Sequence, residues 1–236
     1  MTPNAPCLLQ CASIKHPDEI ALITEHETLT FLELEHQVQS LTFYFKKLGV
    51  QKSNRVITAL PNNLPLLASI LALFRIGAWS CPVNPKFPEK SLKQITRTLE
   101  PHWPITSSSI PLGAAINIDI NAIEINLLKP YKKFDTTPIS YPANSPANAL
   151  IPLTPGDRNL VSLPLFHIGG LAIIFRCLHA GASLVFGCNQ NGSEDLIKFK
   201  ITHTSMVATQ LHRLLKQDIK HLSLKHALIG GGPVDT

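Results

Sequence analysis

Residues 162–170, Ser-Leu-Pro-Leu-Phe-His-Ile-Gly-Gly, decide the fold of this chain. The apolar run that leads into them predicts a strand over Leu160–Leu163, and the apolar spacing after them predicts a helix. A strand that ends, turns and starts a helix is typical of an α/β fold. His167 lies at the predicted carboxyl end of the strand, where open α/β sheets bind ligands. Gly169 and Gly170 allow a ligand to approach the backbone closely; a core histidine beside a flexible turn is the alternative.

Strands and helices alternate along most of the chain, which predicts an α/β fold with mainly parallel sheets. Thr30 and Glu33 fit a capping box at the start of an amphipathic helix that ends near Gly49. The other predicted helices are Leu64–Ile76, Pro88–Leu99, Gly170–His179, Ser193–Phe199 and Thr209–Lys216. The predicted strands are Arg55–Leu60, Trp79–Val83, Pro104–Ser107, Leu160–Leu163, Ala182–Phe186, Thr204–Val207 and Lys225–Ile229. Residues 108–150 keep no helical period and read as an irregular region.

Length and composition limit the class of protein. The chain has 236 residues, of which 44% are hydrophobic and 16% charged, so it can bury a sizeable core. Its 21 Lys and Arg exceed its 16 Asp and Glu, but these basic residues are scattered, which disfavours nucleic-acid binding. The five cysteines form no metal-like or disulfide pattern. We find neither a signal peptide nor a stretch long enough to span a bilayer, which predicts a cytoplasmic protein.

Four segments, in order, resemble the adenylate-forming enzymes, which include acyl-CoA synthetases, luciferases and peptide-synthetase adenylation domains. The segments are Thr28–Gly49, Leu64–Asn84, Ser162–Gly170, and Ile201–Leu215 with Ala227–Pro233. Within that superfamily, residues 174–176 and 209–215 are similar to the o-succinylbenzoate–CoA ligases of menaquinone synthesis. The resemblance implies the N-terminal part of such an enzyme, with two similar subdomains of mostly parallel sheet flanked by helices. We place these subdomains at residues 1–150 and 151–236, the second bearing the acyl and adenylate pocket.

The resemblance also implies a reaction in two halves. A carboxylate attacks the α-phosphate of ATP to give an acyl-adenylate and pyrophosphate, and the CoA thiol then displaces AMP. ATP, Mg²⁺ and CoA are therefore implied, with 2-succinylbenzoate as the acid. The alternatives are an acyl-CoA synthetase for another aryl or fatty acid, and a truncated domain that only binds a nucleotide or a partner protein. We expect no metal ligands within this chain, and the sequence leaves a homodimer open.

The matched motifs imply roles for residues of the acid pocket. His167, the candidate catalytic residue, would border the reacting carboxylate and the adenylate. Phe166, Gly169 and Gly170 would form the pocket wall around it. Arg176 follows an apolar helical run, and the remote carboxylate of the acid is a reasonable partner for its guanidinium. A structural ion pair is the alternative role for Arg176.

Two further groups of residues are assigned through the resemblance. The glycines of the run Gly230, Gly231, Gly232 and Pro233 would pack against the adenine and the adenylate, using the absence of side chains. An ordinary turn is the alternative for this run. Thr209 and Gln210 would approach the aromatic end of the acid, and a role as helix-start residues is the alternative.

The chain departs from the family at the phosphate loop. That loop is rich in Ser, Thr and Gly and ends in Pro-Lys, and its backbone amides hold polyphosphate. Residues Pro138–Pro155 contain neither glycine nor lysine. We expect a segment to be omitted from the sequence near Tyr141–Asn144, and a truncated, inactive product is the alternative. The family's acidic magnesium ligand and its C-terminal lid have no counterpart in these 236 residues.

Overall fold

The structure is a computed structural model that describes residues 7–106, 118–119, 121–123, 151–188, 193–217 and 223–232. The described chain forms two compact units: one contains Cys7 and residues 33–123, and the other contains residues 8–32 and 151–232. This division differs from the predicted one for residues 8–32, because a strand within them pairs with the second sheet. The predicted break near Tyr141–Asn144 and most of the irregular region at 108–150 lie outside the described residues.

The elements alternate between helix and strand along most of the chain. In chain order they are α1 (Leu8–Lys15), β1 (Ile20–Ile23), β2 (Thr28–Thr30), α2 (Phe31–Leu48), β3 (Arg55–Ala59), α3 (Leu64–Ile76), β4 (Trp79–Pro82), α4 (Glu89–Leu99), β5 (Trp103–Thr106), β6 (Ile118–Asp119), β7 (Arg158–Leu160), α5 (Ile168–Ala180), β8 (Ser183–Val185), α6 (Ser193–Lys198), β9 (His203–Val207), α7 (Ala208–Leu215) and β10 (His226–Gly230). The predicted α/β class is therefore confirmed. No described helix has the length and apolar character needed to cross a membrane.

The first unit is built on a parallel sheet in the order β4-β3-β5-β6. Local signals define α3 at both ends. The Asn63 side chain accepts a hydrogen bond from the amide of Leu66 at 3.2 Å, and Gly77 ends the helix in the left-handed conformation (φ 79°). One face of the sheet, with Ile57 and Ala59, packs against Leu92 of α4.

The second unit is built on a sheet in the order β10-β9-β7-β8-β1-β2. Every neighbouring pair is parallel except β1 with β2. Its core joins residues that lie far apart in the sequence, and the buried members of one cluster are Ile23, Leu160, Val185, Leu196, Phe199 and Ile201. The packing of β1 beside β8 is what assigns residues 8–32 to this unit.

The two units share one topology. In the first, β3 leads through α3 to β4 on one side, and β5 and β6 then lie on the other side of β3. In the second, β7 leads through α5 to β8 on one side, and β9 and β10 then lie on the other side of β7. The expectation of two similar subdomains with mostly parallel sheets and flanking helices is therefore confirmed.

The strand before residues 162–170 ends earlier than predicted. It spans Arg158–Leu160, and the amide of Val161 adds one more backbone bond to Val185, at 2.8 Å. The apolar run continues to Leu163, but the chain turns away at Ser162, and Pro164 has no amide to donate to a sheet. The strand therefore starts two residues earlier and ends three residues earlier than the predicted Leu160–Leu163.

Candidate functional site

The second sheet reverses its strand order between β7 and β9. The connection that leaves β7 passes through α5 to β8, whereas the connection that leaves β9 passes through α7 to β10 on the other side. Such a reversal opens a crevice at the carboxyl ends of the strands, which is where open α/β sheets bind ligands. The segments that leave β7, β9 and β10 at this edge carry the predicted site residues.

The turn after β7 presents His167 to solvent. His167 is the N-cap residue of α5, makes no side-chain capping bond, and is exposed. Its ring lies 4.8 Å from the ring of the half-buried Phe166, measured between centroids. An exposed imidazole at a helix start, backed by an aromatic ring, is free to contact a bound ligand. Ile168, which follows it, is 82% exposed and adds an apolar side chain beside the histidine.

The two glycines of this turn differ in what surrounds them. A Cβ on Gly170 would collide with the carbonyl group of Pro164, so the turn itself requires glycine there. A Cβ on Gly169 would meet Cδ1 of Leu163 at 2.9 Å. Gly170 is buried and Gly169 is half-buried. The absence of a side chain at Gly170 is thus explained by packing within the turn, without a ligand.

The glycine run that begins at the last residue of β10 has open space around it, in contrast to Gly170. A Cβ on Gly230 or Gly232 would have no neighbouring atom within 4 Å, and neither residue has a positive φ. Gly231 does adopt a positive φ of 87°, which favours glycine. Neither packing nor backbone conformation therefore demands glycine at Gly230 and Gly232, and the open space above them suits a flat ligand. Pro233 lies outside the described residues.

Gln210 connects the two strand ends that frame the crevice. Its Oε1 accepts a hydrogen bond from the amide of Val207 at 3.0 Å, and its Nε2 donates to the carbonyl of Ser162 at 3.4 Å. Its amide group is therefore used within the protein, as the helix-start alternative expects. Thr209 is exposed beside it.

Arg176 of α5 is buried without a carboxylate. Only 3% of the residue is exposed, and its Nη2 donates to the hydroxyl of Ser205 on β9 at 2.9 Å. Its Nε is buried and has no hydrogen-bond partner among the described residues. Burial lowers the pKa of the guanidinium. The alternative of a structural ion pair finds no support in the described part of the chain, because no carboxylate there contacts this side chain.

The depth of Arg176 follows from the position of Ser205. Ser205 lies two residues before Val207, the last residue of β9. At the rise of a parallel strand, two residues place its backbone about 7 Å below the strand end. The guanidinium, which donates to this serine, therefore lies below the carboxyl end of the sheet.

A second polar cluster lies at the opposite edge of the same sheet, and it was not predicted. Asp157 is 4% exposed and accepts hydrogen bonds from Lys225 Nζ at 2.7 Å and from the amide and hydroxyl of Thr154, both at 2.9 Å. Nδ1 of His203 lies 3.8 Å from Oδ1 of Asp157, and the His203 ring stacks on the ring of His226. Because these groups precede or begin β7, β9 and β10, the cluster joins the amino ends of the three strands. The sequence did not reveal this cluster because its members lie up to 68 residues apart along the chain.

Metal ligation is absent from the described residues, none of which form a group of three or more His, Cys, Asp or Glu able to hold an ion. The five cysteines are unbridged. Cys7 is buried, and its sulfur accepts a hydrogen bond from Arg75 Nη2 at 3.2 Å.

A glycine run over open space, an exposed histidine and a buried cation lie at one switch point of an α/β domain, which is where such domains bind ligands. The particular family follows from comparison with known proteins. A family model described as "AMP-binding enzyme" matches residues 10–137 and 136–236. The chain belongs to this family.

The individual relatives of this chain include 2-succinylbenzoate–CoA ligases. The chain is 30% identical over 241 residues to the 2-succinylbenzoate–CoA ligase of Escherichia coli, a match that covers 92% of this chain and 52% of the relative. A solved structure of wild-type E. coli MenE, with a bound phenylether-linked analogue of OSB-AMS, superposes with a TM-score of 0.79 at 26% identity, over 98% of this chain and 55% of that one.

The fold is also shared with o-succinylbenzoate coenzyme A synthetase (MenE) from Bacillus subtilis in complex with ATP and magnesium ion. That structure gives a TM-score of 0.83 at 21% identity, over 98% of this chain and 56% of the other. The chain thus spans about half the length of the relatives that it matches.

Proposed function

We propose that this chain supplies the acid- and adenylate-binding part of an AMP-forming acid–CoA ligase whose acid is 2-succinylbenzoate. The names of its relatives support this activity. A cytoplasmic location, and a homodimer as its assembly, remain predictions. The observation that carries the choice of acid is the buried Arg176, whose Nε lacks a partner among the described residues.

An acid with two carboxylates suits this arginine. One carboxylate reacts near the exposed His167, and the other can accept hydrogen bonds from the guanidinium deeper in the crevice. A charge-assisted hydrogen bond in a buried site is worth about 1.5–3 kcal/mol. A benzoate or fatty acid would leave the buried cation without an anionic partner, so the site would disfavour both.

The chemistry assigns separate tasks to the residues of this edge. An oxygen of the acid attacks the α-phosphorus of ATP, the bond from that phosphorus to the bridging oxygen breaks, and pyrophosphate leaves. The CoA sulfur then attacks the acyl carbon, and AMP leaves with the electron pair of the broken bond. His167 would donate a hydrogen bond beside the reacting carboxylate. Gly230 and Gly232 would admit the adenylate, and Gly169 would form part of the acid wall.

Phe166 and Thr209 would contact the aromatic ring of the acid, and Gln210 would hold the crevice open by joining its two strand ends. Magnesium is implied by the family, but the described residues offer it no ligand set, and we derive no step through it. Residues that follow Gly232, including Pro233, stay a sequence prediction.

The test is ATP–pyrophosphate exchange by the purified intact ligase that contains this chain, in the presence of 2-succinylbenzoate, benzoate or a fatty acid. We expect exchange with 2-succinylbenzoate only. Arg176→Ala should then lower kcat/KM for this acid by about 100-fold, because truncating one partner of a buried charge pair costs about 2–5 kcal/mol. Equal exchange with all three acids would reject the dicarboxylate.

A non-catalytic nucleotide-binding domain is the second candidate, and the lack of glycine and lysine across Pro138–Pro155 favours it. The two candidates are separated by titration with an acyl-sulfamoyl adenosine, a stable mimic of the acyl-adenylate. Tight binding without exchange would support the second candidate.

A further inference from the structure

Three chemically reactive side chains meet beyond the carboxyl ends of β8 and β1 in the second unit. Cys188 follows the last residue of β8 by three positions, Glu25 follows that of β1 by two, and Lys198 is the last residue of α6. The ammonium of Lys198 contacts both of the others. Its Nζ donates to Sγ of Cys188 at 3.3 Å and to Oε1 of Glu25 at 3.1 Å. We call these three side chains the Cys188 cluster.

The backbone that carries the thiol is held by a buried carboxylate. The amide of Cys188 donates to Oδ1 of Asp195 at 3.0 Å, and Asp195 is buried. This carboxylate lies so close to Gly187 that a Cβ there would collide with it. The thiol itself is exposed, and about half of the side chains of Lys198 and Glu25 is exposed as well. A small solute can therefore reach a sulfur atom whose backbone is fixed.

Exposure separates Cys188 from the other four cysteines of the chain. Cys7 and Cys177 are buried, and Cys11 and Cys81 are half-buried. Burial raises the pKa of Cys177 to about 12, so its thiolate is scarce at neutral pH. The thiolate is the nucleophilic form of cysteine, and a neighbouring ammonium group stabilises it. Cys188 combines access for a solute with a direct contact to such a group.

The two charged members of the Cys188 cluster act on the thiol in opposite directions. Desolvation and the carboxylate of Glu25 raise the pKa of Cys188, whereas the ammonium of Lys198 lowers it, and the net change is upward. Glu25 thus restrains a thiol that Lys198 activates. This opposition distinguishes the cluster from a cysteine that is merely exposed, because each neighbour has its own predicted sign.

We propose that the Cys188 cluster is a modification site, at which a peroxide oxidises Cys188 to a sulfenate that Lys198 holds as an ion pair. The thiolate sulfur attacks one oxygen of hydrogen peroxide, the O–O bond breaks, and hydroxide leaves. The hydroxide takes the proton of the new sulfenic acid and becomes water, so sulfur is oxidised and the peroxide is reduced. None of the three side chains has a role in the proposed ligase reaction, and the inference stands apart from it.

The test measures the initial rate of sulfenate formation at each cysteine. The purified intact protein is exposed briefly to hydrogen peroxide in the presence of dimedone, which alkylates sulfenic acids, and mass spectrometry of its peptides gives the labelled fraction at every cysteine. We expect Cys188 to be labelled first. Cys188→Ser should remove this label and leave the labelling of the other four cysteines unchanged.

Two variants of exposed residues test the opposed charges. Lys198→Met removes the ammonium and should slow the labelling of Cys188 about threefold. Glu25→Gln keeps the shape of the side chain and removes the restraining charge, so it should speed the labelling about threefold. Lys93→Met and Glu89→Gln are the matched controls, because Lys93 and Glu89 form another exposed ion pair, at 2.6 Å, on α4 of the first unit. These controls should keep the wild-type rate.

The outcomes decide between a built site and a merely exposed thiol. Faster labelling of Cys188 than of Cys11 and Cys81, with opposite shifts in Lys198→Met and Glu25→Gln, supports the proposal. The proposal is overturned if Cys11 or Cys81 is labelled as fast as Cys188. It is also overturned if either variant at Lys198 or Glu25 keeps the wild-type rate, or if both shift the rate in the same direction.

Discussion

Helices α3 and α5, which follow equivalent strands in the two units, each bury an arginine, and the two arginines have different surroundings. Arg75 of α3 donates to both oxygens of Glu35, at 2.8 and 2.7 Å, and both residues are buried. Arg176 of α5 donates a hydrogen bond to a hydroxyl and forms no ion pair among the described residues. Although burial lowers the pKa of Arg75, the charge of Glu35 outweighs it and raises that pKa, whereas burial lowers the pKa of Arg176.

The comparison separates two uses of a buried charge. A cation that meets an internal carboxylate completes the fold, and removing either partner leaves an uncompensated charge inside the protein. A cation without an internal carboxylate lowers the stability of the free protein, and under the proposed function its charge pairs with the ligand instead. Each unit thus carries a buried arginine on the topologically equivalent helix, and the neighbouring side chains decide which use the arginine has.

The largest effect is expected for Glu35→Ala. This change leaves the buried Arg75 guanidinium without its carboxylate partner. The free energy of unfolding, measured by urea denaturation, should therefore fall by about 3–5 kcal/mol. Glu89→Ala is the control: it breaks an ion pair with Lys93 in which both side chains are more than half exposed, and it should cost far less stability than Glu35→Ala. Equal losses in the two variants would contradict a structural role for the buried pair.

The sequence could predict elements whose signals are local. The bounds of α3 agree with the prediction because Asn63 and Gly77 mark its ends within the helix's own sequence. The elements α1, β1 and β2 escaped prediction, since β1 is four residues long and is stabilised by β8, more than 150 residues away.

The same limit applied to the site. Arg176 and the glycine run stand out in the sequence because an apolar stretch and a strand end frame them. Ser205 does not stand out, since it lies 29 residues from Arg176 and a serine in a strand carries no signal of its partner. Its hydrogen bond to Arg176 becomes visible only when the strand order places β9 beside β7.

A smaller effect is expected from Asp157, a buried charge whose partner Lys225 is exposed. Burial acts to raise the pKa of Asp157, but hydrogen bonds from Lys225 and Thr154 lower it to about 2, from an ordinary value of 3.8. The folded state therefore binds the proton more weakly than the unfolded state. The stability that Asp157 contributes is complete above pH 3.8 and is lost as the pH falls toward 2.

Asp157→Asn tests this pH dependence. The variant should unfold about 1–3 kcal/mol more easily at pH 7, and the difference from wild type should shrink as the pH falls below 4, toward 2. Burial lowers the pKa of the neighbouring His203, so both proteins should also lose some stability as the pH falls through 6.5. A difference that stays constant down to pH 2 would show that the carboxylate charge is not the source.

The smallest effect on stability, and the one that most sharply divides the two arginines, is expected for Arg176→Met. Methionine keeps most of the volume and removes a buried cation that no described carboxylate compensates, so the free energy of unfolding without ligand should stay within about 1 kcal/mol of wild type or rise. Arg75→Met should lose about 3–5 kcal/mol, because it leaves Glu35 buried and unpaired. With a succinylbenzoyl-sulfamoyl adenosine present, a stable mimic of the acyl-adenylate, only the Arg176 variant should lose the rise in melting temperature that ligand binding confers. A large loss of stability in the free Arg176→Met protein would mean that this arginine is structural like Arg75, and the acid would have to be recognised elsewhere.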